Sequence, residues 1–266
     1  MAVRSPAINV MIRAADKAAR GLTRDFGEVS QLQVSAKGPA DFVSTADHKA
    51  DATLRQELGQ ARPGYGFLTE EGGATPGTDN SHRWIIDPLD GTSNFLHGLP
   101  HFAISIALEH DGEIVAAVVL DPIKSDLFWA ERGTGAYHND RRLRVSSRRK
   151  LNEALVATGA PFMGHGERGP FLAELNAALG VTAGVRRWGA AALDLAYVAA
   201  GRYEGYWERD LSSWDTAAGA LLVREAGGYV SQIDGSPWTP DSPSLLAAND
   251  KLHRPLIDLL NVANRS

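Results

Sequence analysis

The sequence predicts an α/β fold in two lobes, and three observations carry that expectation. Strand-like runs crowd between Phe67 and Trp129, helix and strand patterns alternate from Leu155 onward, and an amphipathic helical pattern opens the chain. The texture changes near residues 140–155, which sets the lobes at 1–145 and 146–266 within one compact unit. A chain of 266 residues with 44% hydrophobic content has enough material for a sizeable core in either arrangement.

Ile8, Met11, Ile12, Ala15 and Ala19 recur at three- and four-residue spacing, one face of a helix over 6–21 that ends at Gly21. A second helix starts in STADHKADATLRQEL, with Ser44 or Thr45 as N-cap and Asp47 in the first turn. RWIID, HFAISIALEHDG, EIVAAVVLD and DLFWAE read as strands, with Asp111-Gly112 as a hairpin turn. In RRLRVSSRRK, Leu143 and Val145 alternate as in a strand and the basic residues form a solvated face. LVATGAP then reads as a buried strand, GPFLAELNAAL as a helix, GVRRW as a short strand and AAALDLAYVAAG as a helix closed by Gly201. YEGYWE is a strand and WDTAAGALLVREAGG a helix stopped by Gly227-Gly228, followed by strands YVSQID and SLLAAN and a last helix from Lys251.

A net charge of −5 argues against a non-specific nucleic-acid binder and favours small-molecule partners. The absence of cysteine removes disulfides, thiolate nucleophiles and thiolate-bound zinc, and fits a reducing cytoplasm. Charges interrupt the N-terminal stretch every few residues, so neither a signal peptide nor a membrane span is expected there.

The chemistry concentrates in WIIDPLDGTSNF, residues 84–95. Asp87 and Asp90 flank Pro88, which cannot donate to a sheet ladder and forces a turn, so the two carboxylates can converge. Crowded carboxylates must take up a proton or a cation, and hard divalent ions such as Mg²⁺ favour such oxygens. Gly91-Thr92-Ser93 adds free amides that suit a phosphate. Taken alone, a surface turn with an Asx cap accounts for the hexapeptide DPLDGT equally well. Glu70-Glu71, before Gly72-Gly73, reads as a strand end or loop presenting further carboxylates, though alone it would be a solvated acidic turn, and Asp215 in SSWD lies in the first turn of a helix.

WIIDPLDGTSNF, the Glu70-Glu71 pair and WDTAAGALLVREAGG together resemble the inositol monophosphatase family of Mg²⁺-dependent, lithium-sensitive phosphatases. DFVSTAD, RRWGAAALDLA and GRYEGYWE fall in the expected order, so the resemblance covers nearly the whole chain. It implies the layered αβαβα sandwich of the sugar phosphatase superfamily, a cytoplasmic homodimer, and a phosphomonoesterase acting on inositol monophosphate or a similar small polyol phosphate. Histidinol-phosphate phosphatase is the alternative within the class, and a non-catalytic regulatory protein of the same fold the alternative outside it. Neither a nucleic acid nor a membrane is an expected partner.

Carried over by position, the resemblance implies two or three Mg²⁺ ions, most of whose ligands lie in the first lobe. Glu70, Asp87 and the carbonyl of Leu89 would hold one; Asp87, Asp90 and Asp215 a second; a third position would lie near Asp47. Thr92 with Asp47 would orient the attacking water, with Glu70 assisting, and the amides of Gly91 and Thr92 would contact phosphate. Asp90, Gly189, Ala190, Ala191, Glu208 and Asp215 would face the substrate. The order Thr69-Glu70-Glu71-Gly72 departs from the family's usual flanks, as does SSWD before the last aspartate. Arg209, beside Glu208, either favours a second anionic group on the substrate or forms a salt bridge. His97 and His101 are read as polar packing because Gly98 and Pro100 break helical geometry. Trp84, Trp188, Trp207 and Trp214 are read mainly as core, and Lys37 as a loop residue near the site.

Overall fold

Helix α1 (Pro6–Phe26) starts with Pro6 in its first turn and Ser5 as N-cap, whose hydroxyl accepts from the Ile8 amide at 3.3 Å. The computed structural model describes residues 4–28, 34–38, 41–162 and 164–263, and for 34–38 and 41–43 the backbone alone. The helix does not stop at Gly21 as its sequence suggests. Leu22 and Asp25 continue the buried face and Phe26 packs on Phe95 and Phe102, so tertiary contact overrides a glycine's cost of roughly 1 kcal/mol. Helix α2 (Thr45–Ala61) is capped by Ser44, with Asp47 returning the bond to the Ser44 amide. Strands β1 (Val34–Gly38) and β2 (Asp41–Ser44) form a separate antiparallel pair. Lys37 thus lies in a strand and not a loop, and its side chain falls outside the described residues.

The first large sheet runs through β3 (Gly66–Thr69), β4 (Gly73–Thr75), β5 (His82–Asp90), β6 (Ala103–His110), β7 (Glu113–Asp121), β8 (Asp126–Glu131), β9 (Gly135–His138) and β10 (Arg141–Arg142). Its order is β10-β9-β8-β7-β6-β5-β3-β4, antiparallel except for the parallel β3/β5 pair. Asp111 and Gly112 both take positive φ, 50° and 81°, as a tight hairpin requires. The strand expected through Leu143 and Val145 stops at Arg142; those two residues instead donate their amides to the carbonyls of Ala136 and Ala226 and pack against the core.

The second sheet, ordered β12-β11-β13-β15-β14, comprises β11 (Leu155–Thr158), β12 (Gly184–Arg186), β13 (Gly205–Arg209), β14 (Tyr229–Ser231) and β15 (Ser244–Ala248). The remaining helices are α3 (Thr92–Leu96), α4 (Arg168–Val181), α5 (Ala191–Ala199), α6 (Ser213–Glu225) and α7 (His253–Ala263).

The period-two alternation of strands explains the layers. Trp84, Ile86, Ile104 and Val118 face α1 and α2 on one side of the first sheet. Ile85, Ala107, Ala117 and Val119 face α5 and α6, which also cover Tyr206, Leu245 and Ala247 of the second sheet. Val156, Trp207 and Leu246 face the other way, onto α4 and α7. The result is an αβαβα sandwich whose middle layer is α5 and α6. Trp84 and Trp207 are core as expected, and Trp214 is half-buried. Trp188 is 47% exposed, because it lies past the end of edge strand β12 in the loop to α5, where the His101 ring lies against it. No described helix is long and apolar enough to cross a membrane.

Candidate active site

Pro88 shapes the centre of the site. On β5 three steps separate Asp87, paired with Ser105, from Asp90, paired with Ala103; β6 makes two steps in the same span. One extra residue makes a bulge, at the place where proline has no amide to give the ladder. The Leu89 amide turns back onto Asp87 Oδ1 at 2.8 Å. On the other flank, Thr69 of β3 pairs with Ile86, and the Glu70 amide donates to the Ile86 carbonyl at 3.1 Å. Glu70 and Asp87 therefore leave adjacent parallel strands side by side.

Two more carboxylates arrive on helix starts, and Asp90 caps a third helix from its strand. Asp47 and Asp215 each occupy the third position of a capping box, Asp47 on α2 and Asp215 on α6, where Asp215 Oδ2 accepts from the Ser212 amide at 2.8 Å. Ser105, opposite Asp87, donates its hydroxyl to the Trp214 carbonyl at 3.1 Å and so holds the start of α6 against the bulge. Helix α5 begins at Ala191 after Ala190, a residue without a capping group, and Asp90 supplies the cap from 101 residues away. Its Oδ1 accepts from Ala191 at 3.2 Å and its Oδ2 from Ala192 at 2.8 Å. The positive ends of α2, α5 and α6 thus offset part of the negative charge.

That offset is incomplete. Burial, then the charges of Glu70, Asp90 and Asp215, push the Asp87 carboxyl well above its ordinary range. Burial and neighbouring Glu208 and Glu70 raise Asp90 to about 7 against the pull of the Ala192 and Ala191 amides, and burial with Asp90 raises Asp215. The Asp90 charge thus raises both Asp87 and Asp215, yet among the described residues no three His, Cys, Asp or Glu side chains are gathered closely enough as they stand to hold a metal ion. The donor set is all hard oxygen, partly held by main-chain amides, and its excess charge calls for a cation; it fits a divalent ion of the Mg²⁺ type. Glu70, Asp87, Asp90, Asp215 and the Leu89 carbonyl are the groups that could hold one.

Gly91 follows the bulge. It has φ 94°, and a Cβ there would meet the carbonyl oxygens of His101 at 3.1 Å and Gly189 at 3.2 Å, so both conformation and space demand glycine. The Thr92 hydroxyl lies 2.9 Å from Asp47 Oδ1 and 3.0 Å from the Leu89 carbonyl. Having one proton, it serves one acceptor at a time. Asn94 donates its amide to the His101 and Trp188 carbonyls, both at 2.8 Å, fastening the Trp188–Ala191 turn to this loop.

A cavity of about 360 Å³ continues from Glu70 and Asp215 to Glu208, Arg209, Phe162 and Phe171. Glu208 accepts from the Tyr206 hydroxyl, and burial raises its carboxyl to about 7 against the opposing effects of Tyr206 and Arg187. Gly159 makes room for it: a Cβ there would fall 1.7 Å from Glu208 Oε1. Arg209 is ion-paired within the chain, to Glu174. His97 and His101 stand apart from the carboxylates in ordinary packing, His97 Nδ1 against the Ser93 carbonyl and His101 against Trp188. Gly159, Asn94, Tyr206 and Glu174 escape sequence reading; the one local sign was the run Ala190-Ala191-Ala192, a helix start lacking its own cap.

The inositol monophosphatase family model matches residues 4–263. An inositol-1-monophosphatase of Rhizobium meliloti (strain 1021) is 56% identical over 257 residues, 97% of each chain. The crystal structure of extragenic suppressor protein suhB from Bartonella henselae superposes with a TM-score of 0.94 at 53% identity, covering 96% of this chain and 98% of that one. A protein of Pseudomonas aeruginosa named Nus factor SuhB is 45% identical over 256 residues, 95% of this chain and 94% of its own.

Proposed function

The chain belongs to the inositol monophosphatase family and is a phosphoric monoester hydrolase, and from that premise we propose that it hydrolyses inositol monophosphate or a similar small polyol phosphate in a Mg²⁺-dependent reaction. The observation that carries the reading is the meeting of buried Asp87 and Asp90 with half-buried Glu70 and Asp215 beside the Gly91-Thr92 turn. Glu70, Asp87 and the Leu89 carbonyl would hold one ion, and Asp87, Asp90 and Asp215 another, with a third position on the Asp47 side. When bound, such ions supply a more acidic water and offset the charge that builds on the phosphoryl oxygens.

The chain's own groups do the rest. The Thr92 hydroxyl, donating to Asp47, keeps its lone pairs for a water and orients it toward phosphorus, while Asp47 is placed to draw off charge as the proton leaves. The amides of Gly91 and Thr92 point at phosphoryl oxygens. Asp90, through the Ala191 and Ala192 amides, sets the wall of Gly189, Ala190 and Ala191 against the leaving group, and Glu208 accepts a bond from one of its hydroxyls. By the same membership we infer a cytoplasmic homodimer sensitive to lithium.

Phosphate release from inositol, histidinol and adenosine monophosphates with Mg²⁺ tests the reading. We expect inositol monophosphate to be preferred and Asp87→Asn to lose about 10²–10³-fold in kcat. Unchanged release by that variant contradicts the catalytic assignment. The relative named Nus factor SuhB motivates a second reading, a regulatory role on the same fold; it is favoured if the wild type releases no phosphate from any of the three.

A further inference from the structure

Glu208 sits between two residues that a single buried carboxylate holds. Strand alternation turns Tyr206 and Glu208 toward the α5 and α6 layer and Trp207 toward α4. From α4, Glu174 reaches both neighbours of Glu208: its Oε1 accepts from Arg209 Nε at 3.0 Å and Nη2 at 2.5 Å, and its Oε2 from Trp207 Nε1 at 3.2 Å. The Glu174 side chain is 1% exposed, whereas Arg209 keeps 33% of its surface and lines the cavity. Among the described residues lining that cavity, Arg209 is the one arginine or lysine.

Arg187, whose charge also reaches Glu208, lies outside the cavity lining; within the lining, a second anionic group on the substrate would find its cation in the Arg209 guanidinium. Two of its donors are already committed to a carboxylate out of water, which has every reason to hold them, because an unpaired buried charge is strongly disfavoured. We propose that Glu174 is a specificity-determining residue: it reserves Arg209, so that the leaving-group end of the cavity accepts hydroxylated, uncharged groups and discriminates against a second phosphate. This rests on the phosphatase reading above and deepens it. Glu174 acts through Arg209 and is a positioning residue.

The test compares kcat/KM for inositol monophosphate and an inositol bisphosphate in the wild type, Glu174→Gln and the double variant Glu174→Gln with Arg209→Gln. Glutamine preserves a hydrogen bond to Trp207 while removing the competing charge. The expected result is a bisphosphate-to-monophosphate ratio raised about tenfold in Glu174→Gln, through KM and with kcat for the monophosphate kept, and returned to the wild-type value in the double variant. A ratio unchanged in folded Glu174→Gln, or a gain that persists without Arg209, overturns the proposal. Should Glu174→Gln fail to fold, Glu174→Asp, which withdraws the carboxylate by one methylene, is expected to move the ratio the same way by a smaller factor; no movement there overturns it too. A wild type inactive on the monophosphate overturns the phosphatase reading and this proposal together, whereas an active wild type with a flat ratio overturns this proposal alone.

Discussion

The carboxylate cluster beside the cavity and the cavity's Glu208 end are built on different plans. At the β5 end, one run of six residues, Asp87 to Thr92, supplies a bulge, two carboxylates, a carbonyl and a left-handed glycine. At the β13 end, Glu208 is seated by Gly159 from β11's exit and Tyr206 from its own strand, while its neighbours Trp207 and Arg209 are held by Glu174 from α4. The first plan concentrates charge and resists change; the second distributes a surface over several segments and can be retuned one contact at a time. On the proposed function, chemistry and leaving-group choice are thereby separated in the fold.

The largest effect should follow from disturbing the contiguous end. Gly91→Ala forces a left-handed backbone on a residue with a side chain, about 1–2 kcal/mol by itself, and drives the new methyl toward two carbonyl oxygens. We expect a fall in kcat on the order of 10²-fold for every phosphomonoester tested, with the melting temperature lowered by several degrees. Equal activity on all substrates would dissolve the distinction between the two ends.

A smaller and selective effect is expected at the other end. Gly159→Ala displaces the Glu208 carboxylate, so KM for inositol monophosphate should rise about tenfold while an aryl phosphate, which offers Glu208 no hydroxyl, keeps its kcat/KM. Losing both substrates alike would place Glu208 with the chemistry instead of the leaving group.

The smallest is a pH effect on stability at the loop beside Gly91. Burial, aided by Lys124, lowers His101 to about 4, so below its ordinary value near 6.5 the unfolded chain binds the proton more readily than the native one. The neutral ring's contribution is whole above about pH 6.5 and is lost as pH falls toward 4. Replacing His101 with Gln should flatten the unfolding free energy across that window, read by denaturant titration at pH 4.5, 5.5 and 7.

This contrast also explains what the sequence made legible. Asp87, Asp90 and Gly91 announce themselves because proline and glycine at fixed offsets constrain the backbone locally, and Asp47 and Asp215 fit ordinary helix starts. The strand and helix order followed from periodicity, whereas the layers were implied only by the family resemblance. Asp90 as the cap of α5 was not legible, since its partners lie about 100 residues on, nor was Glu174, whose partners Trp207 and Arg209 meet it only through packing of α4 on the second sheet. Trp188 misled because apolar character alone does not tell a core residue from one just past a sheet edge.

The central claim is that the crowded carboxylates are a cost to the bare fold that a divalent cation removes. Thermal unfolding of the wild type and Asp87→Asn, each with chelator and with excess Mg²⁺ at pH 8, tests it most directly. Mg²⁺ is expected to raise the wild-type midpoint by mass action, and the variant to melt above the wild type in chelator and below it in Mg²⁺. A wild type indifferent to Mg²⁺, or a variant that melts lower under both conditions, would contradict it.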